Sequence, residues 1–399
     1  MPSVTENKTM IVYTSSYIAS SEVWVGRQVA MQKQYQPIVC CIKKTHTDLY
    51  QGERVIALKP LSRKKLRIEQ VRYVLSGRGW PRSKYLRAWK LEQQIARWKA
   101  KLIHVHFLWN GVIPLQARQK SQIPIVFTAH GTDVNKARVD MEYRRYLQES
   151  VFPNATYILT GSNFLKDKLQ EFGCPPEKLR NHYQGAPIPF EWRQQRDNTS
   201  GTIRIVCVAL FKPVKGHTYL IAAFHKAIRQ NPRLRLTLVG DGPERDELER
   251  QIAHLGLTEQ VKLTGWLPPQ DVQKIFHDSD MCAQMSYTFM QKDDNMVLSE
   301  EGLPVSLTEA ASYGLPLLTT DSGGIREICR HGINGYLVPE CDSDAMAERM
   351  LELVENQELC KQFGQKSREI AEREFDCQKQ VDTLETLYNQ ILEKKDSSL

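Results

Sequence analysis

Short apolar runs alternate with amphipathic stretches along the first half of the chain. The runs are Met10–Thr14, Pro37–Ile42, Val55–Leu58, Leu102–Phe107, Ile125–Thr128, Tyr157–Thr160 and a stretch near Asn181–Tyr183. Helical periodicity predicts helices over Val25–Gln34, Val112–Lys120, Met141–Glu149 and Asn163–Phe172. Continuously apolar strands that alternate with helices are typical of a parallel sheet covered on both faces. The first half therefore predicts a parallel α/β domain.

The alternation of apolar runs with helical stretches stops after residue 185 and restarts in the second half of the chain. Residues 186–202 are polar and punctuated by prolines, which predicts a linker. The strands predicted beyond it are Ile203–Val208, Leu236–Val239, Val261–Leu263, Met281–Gln284, Leu317–Thr319 and Gly335–Val338. The helices predicted there are Thr218–Arg229, Glu244–Leu255, Gln270–His277, Ser343–Asn356, Glu358–Glu374 and Gln378–Lys394, with one more after Pro304. A second parallel α/β domain follows from this pattern.

These patterns define the predicted domain organisation. We expect an N-terminal domain over residues 1–185, a linker over 186–202, a C-terminal domain over 203–375, and a final helix over 376–399 that packs back on the N-terminal domain. Two domains suit a chain of 399 residues, which is long for a single core. Ligands of doubly wound sheets bind at the carboxyl ends of the strands, so we expect the site in a cleft that the two sheets face.

Composition narrows the class of protein. No apolar run approaches the ~20 residues that span a bilayer, and the polar stretch Met1–Thr9 lacks a signal-peptide core. We therefore expect a cytoplasmic location. The nine cysteines include no Cys-x-x-Cys pair, which predicts reduced core cysteines and neither a disulfide framework nor a zinc site.

Charge is divided unevenly between the two halves. Residues 1–190 contain 30 Lys and Arg against 13 Asp and Glu, a net charge of +17, whereas the remaining residues carry −9. Most of the excess lies in the basic segment 63–101, where three tryptophans are interleaved with the cations. This combination favours an anionic membrane surface, the inner face of the plasma membrane. A solvated pair of basic helices is the alternative; nucleic acid is not expected, because no motif that reads it is present.

The stretch from Glu301 to Glu309 has the character of a ligand site. Gly302 lets a backbone pass close to a bulky group, and Pro304 suits the first position of a helix. The amides near Val305 would then lie at a helix N-terminus, where they can hold a phosphate oxygen. Glu309, inside the same helix, can accept hydrogen bonds from the hydroxyls of a ribose. The spacing favours a nucleoside diphosphate, with an ordinary amphipathic helix as the alternative.

Because of these residues and their spacing, the chain resembles a retaining glycosyltransferase of family 4. The two-domain architecture of that family is called GT-B. The segment 301–309 resembles the E-x7-E motif of that family, and Gly332-x-x-Gly335-Tyr-Leu-Val-Pro resembles the segment that usually follows it. The resemblance runs nearly end to end. It implies two Rossmann-like doubly wound domains, a UDP- or GDP-linked sugar as donor, no further cofactor and no catalytic metal.

A second motif, which starts at Val208 and reads Val-Ala-Leu-Phe-Lys-Pro-Val-Lys-Gly-His, resembles the family's strand-loop-helix with its phosphate-binding lysine. Lys215 is the matching position, and a lysine at a helix start can neutralise a departing diphosphate. The family commonly has an arginine where this chain has Leu210, and we expect Lys212 to take its place. The donor-binding residues implied are Lys212, Gly216, Gly240, Gly302, Leu303, Pro304, Val305 and Glu309.

On the acceptor side, residues 127–133 read Phe-Thr-Ala-His-Gly-Thr-Asp and resemble a strand-end motif of family members that build exopolysaccharide and lipopolysaccharide. The resemblance implies that His130 projects into the cleft and forms the catalytic set with Lys215 and Glu301. The acceptor-side residues implied are Ser21, Gly131 and Asp133. Four histidines belong to no motif and are interpreted as satisfied structural histidines: His104, His106, His225 and His254. Two Asp-Ser-Asp triplets, at 278–280 and 342–344, are interpreted as turn and capping residues and not as metal ligands.

The resemblance implies a metal-independent transfer of a hexosyl group to a saccharide or lipid-linked acceptor in cell-surface polysaccharide synthesis. Two alternatives stay open. One is a catalytically silent GT-B protein that acts as a membrane-surface scaffold, for which Leu210 is the sequence feature. The other is a sugar-nucleotide epimerase of related fold, which would release free nucleotide without an acceptor.

Overall fold

A computed structural model of the chain describes residues 8–17, 23–45, 54–58, 67, 83–192, 201–290 and 297–397. The predicted acceptor residue Ser21 and nearly all of the basic segment before residue 83 lie outside these ranges. The chain divides into two compact units. The first unit contains residues 1–184 and 378–399, and the second contains residues 185–377.

The first unit is built on a seven-stranded parallel sheet. Its strands are β1 (Lys8–Tyr17), β2 (Tyr35–Lys44), β3 (Arg54–Ala57), β4 (Leu102–His106), β5 (Ile125–Ala129), β6 (Tyr157–Thr160) and β7 (Leu179–Asn181), in the order β3-β2-β1-β4-β5-β6-β7. Its α-helices are Val23–Ala30, Ser83–Arg97, Val112–Ala117, Gly131–Val139, Met141–Tyr146, Phe152–Asn154, Asn163–Glu171 and the greater part of Cys377–Asp396.

Both faces of this sheet are covered, as the apolar runs predict. Successive residues of β1 point to opposite faces, so Ile11 and Tyr13 join one core cluster while Met10 and Val12 join another. The last helix supplies Tyr388 to the second of these clusters. Its buried Glu385 fixes the helix to the start of β2, because one carboxylate oxygen accepts hydrogen bonds from the backbone N–H groups of residues 33, 34 and 35.

The second unit is built on a six-stranded parallel sheet. Its strands are β8 (Ile203–Val208), β9 (Leu234–Val239), β10 (Val261–Leu263), β11 (Met281–Gln284), β14 (Leu317–Thr320) and β15 (Gly335–Val338), in the order β10-β9-β8-β11-β14-β15. A separate antiparallel hairpin pairs β12 (Phe289–Met290) with β13 (Val297–Ser299). Its α-helices are His217–Ile228, Arg245–His254, Pro269–Asp278, Val305–Ser312, Ser343–Glu355 and Gln357–Glu374.

The two parallel sheets confirm the predicted fold class. The strand expected near Asn181–Tyr183 is present and lies two residues earlier, at Leu179–Asn181. One local prediction is wrong, because Pro304 precedes the helix Val305–Ser312 instead of occupying its first position. The helix Gly131–Val139 and the hairpin were not predicted. No helix among the described residues is long and apolar enough to cross a membrane.

Candidate functional site

Residues of the 301–309 and 208–217 motifs meet at one edge of the second sheet. All its strands are parallel, so their carboxyl ends lie along the same edge. Lys215 follows β8, and Ser286 follows β11, the strand beside it. Glu301 precedes the helix Val305–Ser312. The sheet order therefore brings together side chains that are separated by more than seventy residues of sequence.

Lys215 and Glu301 form an ion pair, with 2.5 Å between Nζ and Oε1. Their side chains are only 18% and 9% exposed. The hydroxyl of Ser286 donates to the same oxygen of Glu301 at 3.0 Å, and the side-chain amide of Gln284 donates to Ser286 at 2.6 Å. Charged hydrogen bonds in a weakly solvated site are strong and directional, so this chain of contacts fixes the carboxylate of Glu301 against the lysine.

A short turn presents Lys215 to this contact. The turn Pro213–Lys215 is followed by Gly216, whose φ of 64° is in the left-handed region. A Cβ at Gly216 would lie 1.8 Å from the carbonyl oxygen of Met285, so only glycine permits this close approach. The N–H of Tyr287 also donates to the carbonyl of Val214 at 3.0 Å. The segments after β8 and β11 are thus held together through their backbones.

The helix Val305–Ser312 begins four residues after Glu301. The residue before the helix is Pro304, which provides no side-chain cap for the first-turn amides. Such amides carry a partial positive charge and suit an anion. Glu309 is half-buried on this helix, which ends before Gly314 as predicted. The donor-binding roles assigned to Gly302, Leu303 and Val305 around this helix start remain predictions.

Gly240 and Lys212 lie at the ends of the neighbouring strands. Gly240 follows β9, and its N–H donates to the carbonyl of Gly265 after β10. A Cβ there would meet the carbonyl oxygen of Ala209 at 2.1 Å, so the residue allows β8 and β9 to end in close contact. Lys212 is exposed at the start of the turn that contains Lys215. Gly240 therefore has a packing role in the structure. The contacts of Gly240 and Lys212 with the donor remain predictions.

In the first unit, His130 directly follows β5 and precedes the helix Gly131–Val139. Gln184 donates from its amide nitrogen to Nδ1 of His130 at 2.9 Å. Burial lowers the pKa of His130 well below its ordinary value, and the neighbouring His106 lowers it further. His130 is therefore a neutral imidazole at physiological pH, with its Nδ1 acting as an acceptor.

Asp133 organises the backbone around His130. Its carboxylate accepts hydrogen bonds from the N–H groups of His130 at 2.6 Å, Val134 at 3.0 Å and Leu108 at 2.7 Å. Asp133 is completely buried, and burial raises the pKa of its carboxyl to about 7 against the lowering effect of these backbone N–H groups. The side chain ties the loop after β4 to the helix start after β5. Its contact with an acceptor, like that of Gly131, remains a prediction.

Sequence reasoning missed four residues of these two regions. Ser286 and Gln284 lie in an apolar stretch without a motif, and only the pairing of β11 with β8 reveals their link to Lys215. His106 and His182 stand at the ends of β4 and β7, and their strand-end positions were the one available signal. Among the described residues, neither ring nitrogen of His106 has a hydrogen-bond partner, so its interpretation as a satisfied core histidine is wrong.

The Asp-Ser-Asp triplets have backbone partners. Asp342 caps the helix Ser343–Glu355 by accepting from the N–H groups of Asp344 and Ala345, which confirms the capping interpretation. Asp280 accepts from the N–H of Arg204 at 2.7 Å. Among the described residues, no group of three or more His, Cys, Asp or Glu side chains is arranged to hold a metal ion.

Two family models match the chain. The model described as "Glycosyltransferase Family 4" matches residues 32–186, and the model described as "Glycosyl transferases group 1" matches residues 190–370. The two matched regions fall on the two units, and the second contains Lys215, Glu301 and Glu309.

Several known proteins are similar to this chain. Amylovoran biosynthesis glycosyltransferase AmsK from Erwinia amylovora is 29% identical over 64% of this chain and 61% of its own length. N-acetyl-alpha-D-glucosaminyl L-malate synthase from Bacillus anthracis is 24% identical over 76% and 78% of the two chains. The crystal structure of HepE from Anabaena in complex with UDP and glucose has a TM-score of 0.74 at 19% identity, over 96% and 99% of the two chains. That likeness shows a shared fold. The match to AmsK spans about three fifths of that relative's length.

Proposed function

Because the chain belongs to glycosyltransferase family 4 and has the GT-B fold, we propose that it is a retaining hexosyltransferase. Its donor is a UDP- or GDP-linked sugar, and its acceptor is a saccharide or lipid-linked saccharide. The observation that carries the proposal is the nearly buried contact between Lys215 and Glu301 beside an uncapped helix N-terminus. A cation and a helix dipole together suit the diphosphate of a nucleotide sugar.

Each donor contact has a separate chemical role in the proposal. Glu309 accepts hydrogen bonds from the ribose hydroxyls, and the first-turn amides near Val305 hold a diphosphate oxygen. Lys215 stabilises the charge that develops on the departing diphosphate, and Glu301 holds hydroxyls of the donor sugar. One positioned donor or cation of this kind contributes about 3 kcal/mol to transition-state stabilisation. Ser286 and Gln284 keep the Glu301 carboxylate in place for this step.

Retention follows from a front-face reaction. The acceptor hydroxyl attacks the anomeric carbon from the side that the diphosphate leaves, and a diphosphate oxygen takes the hydroxyl proton. The glycosidic bond forms as the bond between the sugar and the diphosphate breaks, so charge and atoms balance without a metal ion. Exclusion of water protects the donor from hydrolysis, which is the competing reaction.

The acceptor belongs, in this proposal, to a cell-surface polysaccharide. The names of similar proteins support this class, since they include an amylovoran glycosyltransferase and an O-antigen mannosyltransferase. Two Anabaena structures with UDP or UDP-glucose bound support a nucleotide-sugar donor. We propose that the enzyme works in the cytoplasm, where the basic first half contacts the anionic inner face of the plasma membrane.

Isothermal titration of the full chain with UDP and with GDP, in the presence of a chelator, tests the donor site. We expect one nucleotide to bind the wild type and its affinity to fall at least about tenfold in Glu309→Ala and in Lys215→Ala. Lys226→Ala is the matched control, because Lys226 forms an exposed ion pair with Asp344. Failure of both nucleotides to bind the wild type would contradict the proposal and favour the silent scaffold.

A further inference from the structure

The hairpin of β12 and β13 connects two residues of the candidate donor site. It follows Ser286, which comes after β11, and it precedes Glu301, whose carboxylate accepts the hydroxyl of Ser286 at 3.0 Å. Within the hairpin, Phe289 pairs with Ser299 in antiparallel register. One side-chain contact and one strand pairing therefore join the two ends of the hairpin. The position of Glu301 depends on how the residues that lead into β12 are held, and we call residues 286–288 the hairpin base.

Two neighbouring strand ends hold the first part of the hairpin base. The hydroxyl of Thr320, the last residue of β14, donates to the carbonyl of Ser286. The N–H of Tyr287 donates at 3.0 Å to the carbonyl of Val214, in the turn after β8. Each of these contacts is made between strands that lie next to β11 in the sheet. They fix the backbone of residues 286 and 287 at the carboxyl edge.

Glu340 holds the last residue of the hairpin base. One of its carboxylate oxygens accepts the N–H of Thr288 at 2.9 Å, and the other accepts the hydroxyl of Thr288 at 3.0 Å. Glu340 lies in the loop after β15, and β14 separates that strand from β11 in the sheet. Hydrogen bonds to an ionised acceptor are roughly twice as strong as neutral ones. A charged side chain thus joins two loops whose strands are not neighbours.

A nearby carboxylate makes a similar pair of hydrogen bonds for a different purpose. Asp342 accepts two backbone N–H groups at the start of the helix Ser343–Glu355 and caps that helix. Its partners lie two and three residues away along the chain, whereas Thr288 and Glu340 are 52 residues apart. A local cap stabilises its own helix. The long-range contact of Glu340 instead determines where the hairpin base lies relative to the loop after β15.

We propose that Glu340 is a positioning residue for the transfer reaction, which holds the hairpin base through Thr288 and so keeps the carboxylate of Glu301 at the donor sugar. This inference rests on the proposed function and adds a residue that contacts no substrate. Without Glu340, Ser286 presents its hydroxyl to Glu301 less precisely, while Lys215 and the helix N-terminus still bind the diphosphate. The expected signature is slower turnover at unchanged nucleotide affinity. A contact that only stabilises the loop is the competing explanation.

Release of nucleotide from UDP-glucose, UDP-galactose and GDP-mannose by the full chain, with water as the acceptor, tests this inference. Glu340→Ala removes both acceptor oxygens, so kcat should fall about tenfold, whereas the affinity for UDP or GDP should stay within about twofold. Glu340→Gln keeps the shape of the side chain. Its amide can accept the N–H of Thr288 and donate to the hydroxyl, so kcat should stay within about threefold of the wild type.

Asp342→Ala is the matched control. It removes a carboxylate that accepts two hydrogen bonds in the same loop, so it should lower the stability to urea. Because Asp342 has no contact with the hairpin base, kcat should stay within about twofold of the wild type. This variant separates a loss of loop stability from a loss of position at Glu301.

A double-mutant cycle with Ser286→Ala tests the route of the effect. If Glu340 acts through the hydroxyl of Ser286, Glu340→Ala should lower kcat by less than about twofold when Ser286 is already alanine. Two unconnected effects would instead multiply, and Glu340→Ala would cost the same factor in both backgrounds.

Four results would overturn the inference. They are full turnover in a folded Glu340→Ala, equal losses of turnover and nucleotide affinity, losses that multiply in the double variant, and a loss in Glu340→Gln as large as that in Glu340→Ala. If Glu340→Ala does not fold, Thr288→Val replaces it; this variant removes only the hydroxyl and must still lower kcat about threefold at unchanged nucleotide affinity.

The wild type separates this inference from the donor site. If it binds neither UDP nor GDP and releases nucleotide from none of the three sugars, the proposed function is contradicted. If it binds a nucleotide and turns over, and Glu340→Ala is as active, only the role of Glu340 is contradicted.

Discussion

The carboxyl edges of the two parallel sheets differ in charge. In the second unit, Lys215 and Glu301 bring two charges within 2.5 Å at the carboxyl ends of the strands. In the first unit, His106 and His130 stand at the equivalent edge, and burial keeps both rings neutral. A leaving diphosphate needs a cation, whereas an attacking hydroxyl needs only hydrogen-bond partners. The contrast teaches that a common α/β framework permits different chemistry through a few strand-end residues.

The largest expected effect comes from removing the positive charge at the sheet edge of the second unit. Lys215→Ala removes the cation beside the leaving group, so kcat should fall by a factor on the order of 100 to 1,000. Steady-state transfer with the nucleotide sugar identified by titration measures it. Lys226→Ala should stay within about twofold, since an exposed ion pair contributes little. Full activity of Lys215→Ala would remove the lysine from the mechanism.

A smaller effect should come from the support behind Glu301. Ser286→Ala deletes the hydroxyl that donates to the carboxylate at 3.0 Å, and kcat should fall about tenfold because a hydrogen bond to a charged group is lost. Ser286 contacts no nucleotide in the proposed mechanism, so the affinity for UDP or GDP should be unchanged. Equal losses in nucleotide affinity and turnover would indicate a general disturbance of the fold. Ser343→Ala, which removes a single bond to a backbone carbonyl, is the control.

The smallest expected effect concerns how the stability of the first unit, whose buried histidines are neutral, depends on pH. Four buried histidines have pKa values below that of the unfolded chain, about 6.5: His104, His106, His130 and His182. The unfolded chain therefore binds more protons over the window from about 6.5 to about 3. Their contribution to stability is complete above this window and is lost as the pH falls through it. Asp133 acts in the opposite direction, because its raised pKa favours the folded state at low pH. Four groups oppose one, so urea unfolding of the first unit should show lower stability as the pH falls.

His106→Gln sharpens this test. Removing one buried histidine should flatten the dependence of the unfolding free energy on pH. Stability that is constant over this pH window would show that these buried histidines titrate normally in the folded protein. The claim that burial keeps them neutral would then be wrong.

Much of the fold was predictable because apolar runs determine buried strands directly. Ile203–Val208, Val261–Leu263 and Tyr157–Thr160 are strands with the predicted bounds. The helix Gly131–Val139 escaped prediction because its polar sequence lacks helical periodicity; its start depends on Asp133, which accepts the N–H of His130. The hairpin after β11 was missed because its two strands contain only two and three residues.

The candidate site was predictable only in part. Lys215, Glu301 and His130 stand in contiguous motifs, so their identity could be read from the sequence. Their partners depend on which strands are neighbours. Lys215 and Ser286, which both contact Glu301, are neighbours because β11 lies next to β8. His106 lies beside His130 because β4 pairs with β5. Sheet order arises from packing over the whole unit and leaves no local pattern in the chain.

Hydrogen–deuterium exchange of the full chain with saturating UDP and, separately, GDP tests the central claim most directly. We predict that the nucleotide that binds protects residues 211–216 and 301–312 in the second unit, and leaves residues 104–108 and 130–133 of the first unit unchanged. Protection of residues 104–108 and 130–133 by the nucleotide, or exchange in 301–312 that is the same with and without it, would contradict the assignment of nucleotide binding to the charged sheet edge of the second unit.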